Sequence, residues 1–341
     1  MPFLQTRLGA IGSLAEVTTV FVIGSIIANL LFAASGVTGH PLAALANESN
    51  PDLWAITADL AKLLLLQYAG WLSLALVFSV LIKSQPLRRL GVGLGGKSVA
   101  TLLAIGVLAW AIGDLANKVL WIVDAQLDIG QSVPWREALI NSERSAGWWA
   151  LMAVGSFALV PVVEELFWRG YVQSRLALSL GVGPSIVITA TMFTLSHAQY
   201  HHLDMYHMAT IGSVFLSALT LGWVFHKTNS LLPPMIMHAM LNFPVGPISM
   251  WLALGVMLAL VVIYWRSIEV EMTDFLDQMT SSPWGPIAWC GLIFVGGLML
   301  ALSQKPTVVM LIGYVAAPVA IGLTIPIVMQ RIKASRLNAM S

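Results

Sequence analysis

The sequence predicts an all-α protein, a polytopic transmembrane helical bundle of about 8–10 spans. Three observations carry this prediction. Of 341 residues, 58% are apolar, with 13 Trp and 16 Met among them. Asp, Glu, Lys and Arg make up only 10%, against about 25% in an ordinary soluble domain, too little charge to wet a surface of this size. The apolar residues are gathered into runs of about 20, the length a helix needs to cross a bilayer. The same composition excludes a disordered chain, which has the opposite balance. A net charge of +1 provides no basic field for nucleic acid. The single Cys290 cannot form an internal disulfide.

In chain order, the candidate spans cover about 14–35, 60–82, 98–122, 147–167, 184–200, 207–226, 231–247, 249–265, 285–304 and 307–330. The first run is expected to be an uncleaved anchor. Its apolar core is too long for a signal peptide, Glu16 interrupts its start, and no small-x-small cleavage site follows. Arg and Lys set the orientation. With the N-terminus inside, Arg7, Lys83, Arg88, Arg89, Lys97, Arg169, Arg175, Lys227, Arg266, Arg331, Lys333 and Arg336 fall on the inner side. Only Arg136, Arg144 and Lys305 fall on the outer side. The expectation is a multi-pass integral protein of the plasma or inner membrane with both termini cytoplasmic. Three parts follow from the distribution of polar residues: N-terminal spans over 1–146, a polar transmembrane core over 147–250, and C-terminal spans over 251–341.

Ionisable groups inside a bilayer are costly, so each requires a reason. Asp114 and Lys118 are four apart and are read as a structural ion pair on one helix face. Asp59 and Lys62 lie near a span end, where their charges reach water. The stretch 161–242 is different. It holds Glu164, Glu165, Arg169, His197, His201, His202, Asp204, His207, His226, His238 and Asn242, and six of the seven histidines of the chain. Such clustering predicts a polar functional cavity. Glu165 and Arg169, Phe193 and His197, and His238 and Asn242 are each i, i+4, so each pair shares a helix face. Arg169 is placed to hold Glu165 ionised, while Glu164 is turned about 100° away.

Depth is consistent with convergence. Residues 181–184, Gly-Val-Gly-Pro, form a strong helix break. As a hairpin turn, they place Glu164 and His197 roughly 25 and 20 Å away, at nearly one level. His238 joins them if this turn projects into the cytoplasm, as the mixed polar flank 169–179 suggests. The expected site is one water-filled hollow in the cytoplasmic half of the membrane, shared by Glu164, His197 and His238.

These residues resemble a known family. Glu164-Glu165-Leu166-Phe167-Trp168-Arg169 matches EExxxR, Phe193-Thr194-Leu195-Ser196-His197 matches FxxxH, and His238-Ala239-Met240-Leu241-Asn242 matches HxxxN. All three occur in order on consecutive apolar helices. Over about 145–250 the chain resembles the CPBP (Abi) family of intramembrane proteases, which includes the type II CAAX prenyl endopeptidases. The resemblance implies an intramembrane endopeptidase. Glu164 would be its essential carboxylate, Glu165 and Arg169 its neighbours, His197 a water-binding group, and His238 and Asn242 the groups facing the scissile carbonyl. It also implies a peptide or protein substrate at the membrane, lipidated for some relatives and unlipidated for others, in contact with membrane lipid.

The residue chemistry agrees. Peptide hydrolysis needs a base for water and a donor for the developing oxyanion, and one such donor contributes about 2.7–4 kcal/mol. Two mechanisms are open here. Glu164 and His197 activate water without metal, or Glu164, His197 and His238 hold a divalent metal such as zinc that acidifies it. His201, His202 and His207 are read as hydrated residues at the cavity rim, although His197 and His201 also form an HxxxH pair. Two other functions fit the composition: a cation transporter using the His/Glu cluster, and a non-catalytic membrane scaffold or immunity-type protein. HExxH and GxSxG are absent. The acidic group Glu269, Glu271, Asp274 and Asp277 is read as a solvated loop or interfacial helix.

Overall fold

The structure is a computed structural model. It describes residues 2–36, 41, 52–81, 90–127, 145–197, 200, 205–242, 247–282, 284 and 285. Among these residues the elements are helical, in the order α1 (Pro2–Ala34), α2 (Leu53–Leu81), α3 (Val99–Gly113), α4 (Leu115–Leu127), α5 (Ala146–Leu180), α6 (Val182–Leu195), α7 (Met205–Thr228), α8 (Leu232–Leu241), α9 (Pro247–Ile263) and α10 (Trp265–Ser281). This is the all-α bundle the composition predicts.

Four helices are long and apolar enough to cross a membrane: Gly9–Ala34, Leu53–Val80, Ala146–Leu180 and Ala209–Thr228. Two bent pairs raise the number to six, α3 with α4 at 41° and α9 with α10 at 76°. Their outward faces carry side chains such as Leu30, Leu252, Val262 and Ile263, each at least 65% exposed, a pattern at home in lipid and expensive in water. The fifth and seventh predicted spans are shorter than expected. Helix α6 has 14 residues and α8 has 10, roughly 21 and 15 Å against a hydrocarbon core of about 30 Å. They pack inside the bundle, α6 against α7 and α8 against α3. The predicted spans at 285–304 and 307–330 lie outside the described residues.

The N-terminal pair α1 and α2 packs closely because glycines meet at the crossing. A Cβ on Gly70 would stand 2.8 Å from the Gly24 carbonyl oxygen. Small residues at a helix crossing let backbones approach inside a membrane, where apolar burial gives no advantage over lipid. Trp71 fixes the crossing further by donating its Nε1–H to Ser25 Oγ at 3.0 Å. Helix α1 is in turn tied to α5. Glu16 accepts from Arg175 Nε at 2.8 Å and from the Tyr171 hydroxyl at 2.9 Å. Ser13 accepts from Arg175 Nη1 at 2.6 Å and meets Ser179 at 2.8 Å.

These contacts correct one expectation. The polar flank 169–179 does not belong to a projecting helix end: Arg169 and Gln173 are buried, and Arg175 and Ser179 bind α1. The turn beyond it is covered as well. It consists of Gly181 alone, at φ +86°, where only glycine is unstrained. Ser282 caps the Leu180 carbonyl at 2.8 Å, and the backbone of Met279 lies 2.7 Å from where a Cβ on Gly183 would stand. The acidic segment is a helix, α10. Lys227 at the end of α7 pairs with its Glu271 and Asp274 at 3.1 and 2.9 Å.

The α3–α4 bend has an identifiable cause. The helix breaks at Asp114, whose carboxylate takes Lys118 Nζ at 2.6 Å, Trp110 Nε1 at 3.0 Å and Asn117 Nδ2 at 2.8 Å. The Gly113 carbonyl released by the break accepts from Ser217 of α7 at 2.7 Å.

Candidate active site

The site grows out of α5, which departs from regular α-helix on both sides of its two glutamates. Residues Gly155–Leu159 and Leu166–Gln173 form wider i→i+5 turns, with the α-helical turn Val160–Glu165 between them. Such widened turns are rare and gather at functional sites. Pro161 contributes, because it has no N–H for the preceding turn.

Glu165 points inward and is fully buried. Arg169 Nη1 donates to Glu165 Oε1 at 2.9 Å, while Arg169 Nη2 donates to the Ala218 carbonyl of α7 at 3.2 Å. The guanidinium lies 4.7 Å from the centre of the Phe193 ring of α6. His238 of α8 approaches the same carboxylate, Nδ1 to Oε1 at 2.7 Å. A carboxylate only accepts, so Nδ1 carries the hydrogen and Nε2 faces away from Glu165.

It faces Glu164. His238 Nε2 and Glu164 Oε2 are 3.9 Å apart, too far for a direct hydrogen bond. The Glu164 side chain is 14% exposed and that of Glu165 0%, so adjacent carboxylates occupy different environments. The other oxygen of Glu164, Oε1, accepts the hydroxyl of Tyr68 from α2 at 2.5 Å.

His197 lies just past the end of α6, one residue beyond its C-cap Ser196. The predicted i, i+4 relation with Phe193 survives as a hydrogen bond: Nδ1 donates to the Phe193 carbonyl at 2.8 Å, which leaves Nε2 as an acceptor. The Phe193 ring is flanked by both imidazoles, with centroids 4.9 Å from His197 and 5.8 Å from His238.

Five of the six predicted residues, Glu164, Glu165, Arg169, His197 and His238, thus come together. Asn242 caps α8 and donates its amide to the Ser156 carbonyl of the first widened turn at 2.8 Å. The expected hollow shared by Glu164, His197 and His238 is not what the described residues line: an open groove of about 540 Å³ runs between the Phe21–Leu30 face of α1, Gln67, Leu195 and Ser196. Its walls include the chain neighbours of Tyr68 and His197 rather than the glutamates themselves. His201, His202 and Asp204 lie outside the described residues. His207 is buried against Tyr206 and is not the hydrated rim residue expected.

Among the described residues, no three His, Cys, Asp or Glu side chains are grouped closely enough to hold a metal ion. Glu164, His197 and His238 are of the chemical type that binds a divalent metal.

Tyr68 escaped the sequence reading. Its only local signal is the pair Gln67-Tyr68 in an otherwise apolar stretch of α2. Trp71, Phe167, Trp168 and Phe193 then build the floor beneath the site. Trp71 stacks on Phe167 at 4.7 Å, and Trp168 meets the edge of Phe193 at 5.9 Å.

With this geometry in place, comparison with known proteins locates the resemblance. Residues 146–244 match the family model described as type II CAAX prenyl endopeptidase Rce1-like. The human CAAX prenyl protease 2 is 26% identical over 99 residues, covering 25% of this chain and 30% of that protein. The match therefore spans under a third of the relative's length. No solved structure matches the chain. All six motif residues fall inside the matched segment, and over that segment the chain is similar to the Rce1-like type II CAAX prenyl endopeptidases.

Proposed function

We propose that this protein is an intramembrane endopeptidase that hydrolyses a peptide bond of a membrane-associated substrate with water activated by Glu164. The observation that carries the reading is the pairing of Glu164 Oε2 with His238 Nε2 at 3.9 Å, each group held from behind by a separate partner. A water against Glu164 Oε2 and His197 Nε2 loses a proton to Glu164 as its oxygen attacks the carbonyl carbon. His238 acts as the imidazolium: Nδ1–H is held by Glu165, and Nε2–H is offered as a hydrogen bond, without proton transfer, to the developing oxyanion. Glu164 returns the water's proton to the leaving nitrogen as the C–N bond breaks, giving a carboxylic acid and an amine, between which the acid proton then passes to leave a carboxylate and an ammonium group. Asn242 fixes the far wall through Ser156. No step passes through a metal.

The relative's name, CAAX prenyl protease, supports a substrate cleaved near a lipidated C-terminus. On this reading 147–250 is the catalytic core, 1–146 and 251–341 are its flanking parts, and both termini face the cytoplasm. The test is purified protein in lipid nanodiscs with quenched fluorescent peptides, prenylated and unprenylated. Glu164→Gln is expected to abolish cleavage of both while leaving the thermal unfolding profile unchanged. Full cleavage by this variant would overturn the proposal.

A further inference from the structure

The catalytic geometry draws on a residue outside the segment that resembles the endopeptidases. We propose that Tyr68, on α2, is a positioning residue that orients the Glu164 carboxylate. The inference rests on the function proposed above and adds to it.

The hydroxyl–carboxylate distance of 2.5 Å is that of a short, charge-assisted O–H···O⁻ bond. Tyr68 is 3% exposed, so water does not compete for this hydroxyl as it would at a surface. The bond occupies Oε1 and leaves Oε2 turned toward His238. A glutamate bound at neither oxygen rotates freely about its last torsion, which is broad and nearly twofold. Fixing one oxygen therefore selects which atom meets the water.

The hydroxyl itself is held by a chain of contacts. Tyr68 packs on Trp71 with ring centroids 5.9 Å apart, and Trp71 is hydrogen-bonded to Ser25 of α1. The Gly24–Gly70 approach fixes α2 against α1, and Glu16 and Ser13 fasten α1 to α5. The N-terminal helix pair thus returns to the helix that carries the glutamates and grips it at two levels, Glu16 at Tyr171 and Arg175, and Tyr68 at Glu164. Residues 146–244 on their own lack the group that sets the orientation of their essential carboxylate.

The experiment uses the full chain in nanodiscs and the fluorescent peptide substrate. Tyr68→Phe removes one hydrogen bond to a charged group and keeps the ring. A loss of about 10- to 100-fold in kcat is expected, with KM changed less than about twofold. In a Glu164→Asp background, where the shorter side chain no longer reaches the hydroxyl, the same change should alter kcat less than about twofold, the non-additivity expected of partners. Should Tyr68→Phe fail to fold, fluorotyrosines installed at position 68 keep the shape and strengthen the donor stepwise. The kcat is then expected to change progressively with fluorination at constant KM. Wild-type kcat in Tyr68→Phe, an equal loss in both Glu164 backgrounds, or a kcat unmoved by fluorination would each overturn the proposal. Loss of cleavage in Glu164→Gln alongside any of these would leave the peptidase reading standing. Full cleavage in Glu164→Gln would remove both.

Discussion

Replacing Arg169 by Met tests the internal logic of the site most directly. Arg169 and Glu165 are both 0% exposed and meet at 2.9 Å. Arg169→Met keeps most of the side-chain length but leaves the Glu165 carboxylate with only the His238 Nδ1 contact at 2.7 Å. Glu165 Oε2 already has no partner among the described residues, so the remaining charge is badly compensated. Breaking a buried pair from one side costs about 3–5 kcal/mol. Loss of the cation–π contact with Phe193 at 4.7 Å adds about 0.5–2 kcal/mol. The expected result is a marked loss of stability on unfolding in mixed micelles, together with loss of cleavage. Removing both charges, Arg169→Met with Glu165→Gln, should recover much of the stability, because an isosteric neutral pair in an apolar interior is close to neutral overall. It should not recover activity, because the carboxylate behind His238 is gone. Wild-type stability in Arg169→Met, or cleavage restored in the double variant, would refute this account.

Asp114→Leu should destabilise by about 3–5 kcal/mol, because Lys118 would be left buried without its carboxylate, and Asp114→Leu with Lys118→Leu should restore much of that in the same unfolding assay. Gly70→Leu should force α1 and α2 apart, since its Cβ would meet the Gly24 carbonyl at 2.8 Å, and it should lower kcat as well as stability by displacing Tyr68. Treating the purified protein with a strong chelator, checked by elemental analysis of metal content, should leave cleavage unchanged, because each step proposed above uses side chains and water alone; loss on chelation with rescue by zinc would reverse that.

What the sequence made legible was what is local or periodic. Long apolar runs identified α1, α2 and α7, because lipid requires an uninterrupted apolar helix and little else has that composition. Gly181 marked its turn because a left-handed backbone favours glycine. The i, i+4 spacing of Glu165 and Arg169 foretold their contact. Partners chosen by tertiary packing were hidden. Tyr68 and Glu164 are 96 residues apart, and Glu16 and Arg175 159, so no window along the chain holds both members. The polarity of 169–179 looked like a solvated surface because most of the groups that consume it are remote in sequence: Glu16 and Ser13 on α1, and the Ala218 and Gly222 carbonyls on α7. The lengths of α6 and α8 were overestimated because the spans were drawn on to about 200 and 247, whereas the helices end at Leu195 and Leu241, where the polar Ser196, His197 and Asn242 begin. Apolarity reports the surroundings of a segment more reliably than where its backbone turns.

The widened turns on either side of Glu164 and Glu165 have a consequence for how this chain tolerates change in length. A turn of five residues holds one more residue than the geometry of its neighbours requires, so each is a place where the helix carries a surplus position. Deleting a single residue from Leu166–Gln173 would let that stretch relax to ordinary pitch. Everything beyond it would then keep its facing relative to the glutamates, because only the surplus position is lost. The regular turn Val160–Glu165 has no such surplus, so a one-residue deletion there would rotate the segments on its two sides by about 100° against each other and should be more damaging than one in either widened turn.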